Sequence, residues 1–156
     1  MSLEKWVEYG WLKVEATSQD EIKSLLAILD RDLKGASVDA ISEDRRFEAA
    51  FNAARTAAYV ALRACGYRTS IQGGHHIKTF ESLEFTVQAD AKLVRKPKGF
   101  SKKRNAASYD AAGSVSKREL ESVIKEAAKL RTRVITWLQK NHPVLAKSLR
   151  WFPLWA

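Results

Sequence analysis

The sequence predicts an all-α protein, an up-and-down bundle of four to five helices preceded by an N-terminal aromatic arm. Three observations predict it. Apolar residues recur at helical spacing over three long stretches, serines followed by acids stand where those stretches begin, and no stretch alternates at period 2 for more than a few residues. With 156 residues, 46% of them apolar and only 7 Gly and 3 Pro, the chain is sized for a single domain. That composition excludes a disordered chain, a collagen-like repeat and a disulfide scaffold. The expected boundaries are an arm over 1–17, a bundle over 18–142 and an aromatic tail over 143–156.

The arm carries Trp6, Tyr9 and Trp11 around Gly10, without a sustained helical period, and is expected to lay its rings on the core. Ser18 and Glu21 have the spacing of a capping box and open a helix whose stripe is Ile22, Leu25, Leu26, Leu29 and Leu33, ending at Gly35. Ser42 caps the next, with Glu43 and Asp44 in its first turn. Phe47, Ala50, Phe51, Ala54, Ala58, Ala61 and Cys65 share its face, and Gly66 stops it. So many small residues let neighbours approach closely, which places this helix at the bundle centre.

After Gly73-Gly74 a shorter helix starts at His76, and the stretch 85–96 fits either a helix or an extended turn. Pro97 and Gly99 are expected to interrupt the backbone. A helix then resumes with Ser101 as N-cap and runs to about Asp110, closed by Gly113. Ser116 and Glu119 form a second capping-box pair. They open the longest stripe, Leu120, Val123, Ile124, Ala127, Leu130, Val134, Trp137 and Leu138, which Pro143 stops.

Charge narrows the function. There are 27 Lys+Arg against 18 Asp+Glu, a net +9, which favours a polyanionic partner or an acidic protein. Lys92, Arg95, Lys96, Lys98, Lys102, Lys103 and Arg104 form a run without an acid. If Ser101 is an N-cap, the last three oppose the helix dipole in a first turn, where free N–H groups also point outward. That conflict predicts a phosphate site on Lys96, Lys98, Lys102, Lys103 and Arg104, with Phe100 and Tyr109 placed to stack on unpaired bases. A solvated loop is the bland alternative. A membrane-surface role is the least supported, because the run lacks an adjoining amphipathic face.

The segment Lys102-Lys103-Arg104-Asn105-Ala106-Ala107-Ser108-Tyr109-Asp110 resembles the signature of the HEPN superfamily. So do its place before the last long helix, the alanine-rich helix behind it, and the pair His75-His76 ahead of Ser82-Leu83. The resemblance spans residues 18–142. It implies a small, usually dimeric helical bundle. Many members carry Arg, a polar residue, three variable residues and His, and act as metal-independent ribonucleases without a cofactor. It further implies a toxin–antitoxin or defence setting and a small nucleotidyltransferase as antitoxin partner. The implied catalytic residues are Arg104, Asn105 and Tyr109, at a cleft between two subunits, with RNA such as tRNA as substrate.

Tyr109 stands where the ribonucleases have His. A phenol, with pKa near 10, is a poor base at neutral pH, which weakens cleavage by a factor of about 10²–10⁴. Tyr109 can still donate to a phosphoryl oxygen, and Arg104 can offset charge developing there. Arg104 and Tyr109, five apart on a helix, point about 140° from each other, so a second element must complete the cleft. Two alternatives stand beside cleavage. One is a non-catalytic module for nucleic acid or a partner protein; the other is a structural motif with Arg104 paired to a carboxylate such as Asp110.

Adjacent His75 and His76 cannot chelate one metal as an i, i+4 pair does, so a helix-start or loop role is expected, with one of them a stand-in base if the fold brings it near Tyr109. His142, ahead of Pro143, suits a helix C-terminus as a cation. Cys65 reads as a small core residue. The tail, with Trp151, Phe152 and Trp155, is expected to bury against another subunit. Without an apolar run long enough to span a bilayer or a signal-peptide pattern, a cytoplasmic location is expected.

Overall fold

The computed structural model describes residues 1–70, 75–106, 112–147 and 149, so the aromatics at 151–155 and Tyr109 lie outside the described residues. The elements, in order, are α1 (Leu3–Glu8), β1 (Leu12–Val14), α2 (Gln19–Ala36), α3 (Glu43–Ala64), β2 (Tyr67–Thr69), α4 (His75–Glu81), α5 (Leu83–Thr86), α6 (Ala91–Asn105), α7 (Lys117–Asn141) and α8 (Pro143–Ala146). The protein is an all-α bundle with one two-stranded ribbon. Among the described residues, no helix is long and apolar enough to cross a membrane.

α3 forms the centre. Phe47, Ala50, Phe51, Ala53, Ala54, Ala57, Ala58, Val60, Ala61 and Leu62 are all buried, on more than one face. Alanine makes this possible: α2 and α7 pack on α3 along its length, while α4, α5 and α6 cover further parts of it. α2 contributes Ile22, Leu26, Leu29 and Leu33, and α7 contributes Leu120, Val123, Leu130, Val134 and Leu138. Ser42 Oγ accepts from Arg45 N–H at 3.4 Å, and Ser116 with Glu119 forms the full reciprocal box. Ser18 caps α2, accepting from Glu21 N–H at 3.1 Å, but the Glu21 carboxylate turns away to Arg63 instead of closing the box. α2 also runs through Gly35 to a cap at Ser37 rather than ending at the glycine.

The arm is more regular than expected. Ser2 caps the short α1, and β1 pairs antiparallel with β2, Lys13 opposite Arg68. Gly10 (φ +77°) turns α1 into β1, and Gly66 (φ +88°) turns α3 into β2, a left-handed backbone that a Cβ would strain. Trp6 is buried in a second apolar cluster with Leu3, Leu12 and Leu62, and its ring meets Trp11 and Phe85 edge-on at 5.8 and 5.4 Å. Edge-to-face pairs of this kind add about 0.5–1.5 kcal/mol to area burial.

The largest correction concerns α6. It begins at Ala91, where Asp90 Oδ1 accepts from Leu93 N–H at 2.8 Å, and continues through Pro97 and Gly99. Ser101 is a buried interior residue and not an N-cap. Lys102, Lys103 and Arg104 therefore occupy the last turn of α6, where cations favour the helix dipole. The expected electrostatic conflict does not exist. The part of the expected helix that falls on 107–111 lies outside the described residues.

Candidate nucleic-acid interface

Because α6 is one helix from Ala91, its cations distribute over three faces. Pro97, Ser101 and Arg104, spaced four and three apart, face the bundle. Lys96 and Lys103, seven apart, face α7 and pair with Glu126 at 3.0 Å and Glu119 at 3.1 Å. Lys98 turns toward α4 and meets Glu81 at 3.6 Å. Lys102 is exposed, as are Lys92, Arg95 and Asn105. The seven cations thus form no single patch, and three of them already hold carboxylates of the same chain.

Between α6 and α7 lies an open hollow of about 430 Å³, lined by Phe47, Lys96, Phe100, Lys103, Arg118 and Glu119. Phe100 is half-buried and meets Phe47 edge-on at 6.0 Å, so one side of its ring is fixed by the core while it lines the hollow. Arg118, in the first turn of α7, adds a third cation that the sequence reading did not single out. Its signal was present, since Arg118 sits two residues after a capping serine, but only the placement of α6 across the hollow from the start of α7 gives it company.

The Lys103–Glu119 pair at the hollow is partly solvated, and such a pair contributes about 0–1 kcal/mol, so a phosphate can displace this carboxylate at little cost. Glu119 is the one acid among the described residues lining the hollow. Its pKa is lowered by the Ser116 backbone N–H that it accepts, with Lys103 adding to the effect. It stays ionised and is a weak base. No histidine is among the lining residues, so the hollow holds cations and a ring without a group suited to take a proton near neutral pH.

Arg104 lies elsewhere. Its guanidinium stacks over Phe51 of α3 at 5.0 Å, and its Nε is buried without a hydrogen-bond partner among the described residues. Asn105, next to it, is exposed and ends the helix. The structure therefore separates Arg104 and Asn105 from the α6–α7 hollow, and Tyr109 is not described. His76, in the first turn of α4, has its ring against Arg55, whose Nη1 is 3.0 Å from both ring nitrogens. His142 ends α7 with its ring tilted on Trp137 at 4.8 Å; burial lowers its pKa, which favours neutral imidazole over the expected cation. The Cys65 thiol is pushed up by burial to about 11 and is no nucleophile at neutral pH. Among the described residues there is no cluster of three His, Cys, Asp or Glu able to hold a metal.

Compared with protein-family models, curated proteins and solved structures, the chain matches none of them.

Proposed function

We propose that the protein is an RNA-directed helical module of HEPN type that binds single-stranded RNA across the α6–α7 face. Lys96, Lys103 and Arg118 take phosphates there, and Phe100 takes the flat of a base. The observation that carries this reading is the hollow itself, where three cations surround one aromatic ring held by the core. Cations that track a strand, combined with a ring that accepts any base, are what single-strand binding requires. Binding is favoured over cleavage because the hollow lacks a group that can accept a proton near neutral pH. In this reading the protein is a cytoplasmic homodimer with a nucleotidyltransferase as its protein partner, and Arg104, Asn105 and Tyr109 act, where they act, at the subunit boundary.

Fluorescence anisotropy with a labelled oligouridylate tests it. Lys103→Ala and Arg118→Ala are each expected to weaken binding about tenfold, the effect of one lost charged hydrogen bond. Unchanged affinity in the double variant refutes the site. Incubation with bulk tRNA in the presence of chelator is expected to leave the RNA intact. Cleavage that disappears in Arg104→Ala would establish the ribonuclease reading instead.

A further inference from the structure

A second cavity, on the opposite flank of α3, carries a different ligand chemistry. It lies between α2, α3 and α4, measures about 280 Å³, and is lined by the apolar and aromatic side chains of Leu25, Ile28 and Tyr59 together with the polar ones of Arg55, Thr56 and His76. Arg55 and Tyr59 are one turn apart on α3, so the charged and aromatic groups share a face. The His76 ring lies 3.0 Å from Arg55 Nη1.

Around Arg55 positive charge is in excess. Arg104 sits over Phe51, one helical turn before Arg55 on α3, and neither arginine forms an ion pair among the described residues. Burial, and after it the nearness of Arg104, pulls the Arg55 guanidinium down from its ordinary value, with Asp32 of α2 opposing. Asp32 makes its own contact with Arg31 at 3.6 Å. A half-buried guanidinium that lines a cavity without a carboxylate partner among the described residues calls for an anion, and the several oxygens of a phosphate match its fork of donors. The apolar wall with Tyr59 adds a surface for a flat body. The volume of about 280 Å³ falls just below the usual range of ligand pockets, about 300–1,000 Å³, so the cavity can take one nucleotide in part and not a strand.

We propose that this cavity binds a nucleoside monophosphate group, its phosphate on Arg55 and its base against Leu25, Ile28 and Tyr59. The group is either a free nucleotide or the 5′-phosphorylated end of an oligonucleotide, and the site does not depend on the α6–α7 hollow.

Calorimetric titration of the full chain with adenosine monophosphate, adenosine, and a trinucleotide with or without its 5′-phosphate tests the proposal. Adenosine monophosphate is expected to bind about tenfold or more tighter than adenosine. Arg55→Gln is expected to lose that preference. Ile28→Glu, at an exposed position where folding is undisturbed, is expected to weaken the phosphate ligand about tenfold by placing a carboxylate at the mouth. A phosphorylated trinucleotide that binds as well as the mononucleotide assigns the site to strand ends. Binding of the mononucleotide alone assigns it to free nucleotide. Absence of binding by both at millimolar concentration, or unaltered binding in both variants, overturns the proposal. The Lys103→Ala, Arg118→Ala double variant is expected to bind adenosine monophosphate as wild type does, which separates this site from the RNA face.

Discussion

Arg63 shows how much of the fold one side chain can hold. It is fully buried, 1% exposed, in a helix otherwise lined by alanine. Its Nε donates to Glu21 Oε1 at 2.6 Å, Nη1 to the carbonyls of Glu15 and Tyr67 at 2.9 and 3.1 Å, and Nη2 to the Ala16 carbonyl at 3.0 Å. The ribbon, the start of α2 and the end of α3 are thereby tied together. Nothing local in the sequence reveals this, because three of those partners lie 42–48 residues away. Arg63→Met leaves three carbonyls and the partly solvated carboxylates of Glu21 and Glu15 without their donor and is expected to cost about 2–4 kcal/mol in urea unfolding. The Arg63 hydrogen bond, chief among its causes, lowers the Glu21 pKa from the ordinary 4.5. Its contribution is therefore full above that value and lost as pH falls through the lower folded-state pKa. Glu21→Gln is expected to be less stable than wild type at pH 7 and to lose less further stability between about pH 5 and 3. Equal acid slopes for the two proteins would separate Glu21 from the acid response.

At the scale of elements, α6 is where local signals misled and tertiary structure decided. A proline and a glycine two residues apart ordinarily break a helix, and an interior proline costs about 3 kcal/mol against alanine. Here the Pro97 ring is buried against the bundle, and Asp90 supplies a cap seven residues before the proline. Packing against α3, α4 and α5 outweighs the missing N–H. A direct comparison checks the assignment. Asp90→Ala is expected to lower stability by about 1 kcal/mol, as loss of an N-cap does. Ser101→Ala, which would carry that penalty if Ser101 were the cap, is expected to stay within about 0.5 kcal/mol of wild type because alanine suits a helix interior. The reverse order in thermal unfolding would restore the helix start at Ser101. By contrast α2, α3 and α7 were legible from the sequence, since each pairs a serine cap with a long stripe at helical spacing and no breaker before its last turn. α1 and the β1–β2 ribbon were not, because six and three residues are too few for a period to show.

For the whole molecule, the net charge of +9 pointed to an anionic partner but could not locate it. Lys96 and Lys103 converge with Arg118 only because α6 and α7 face each other across the hollow, whereas Lys98, Lys102 and Arg104 from the same run point to other faces. Diffuse attraction and a defined site differ in how affinity responds to salt. Each phosphate contact on a single strand contributes about 0.7 to the slope of log affinity against log salt. Three contacts in the hollow give a slope of about −2, and Lys103→Ala with Arg118→Ala is expected to reduce its magnitude by about 1.4. Lys98→Ala, engaged with Glu81 on another face, is expected to leave the slope unchanged. Anisotropy titrations with oligouridylate across a series of potassium chloride concentrations measure all three proteins on one scale. If Lys98→Ala lowers the slope as much as Lys103→Ala does, the strand is held by the overall field of the protein, and the α6–α7 hollow has no privileged part in binding it.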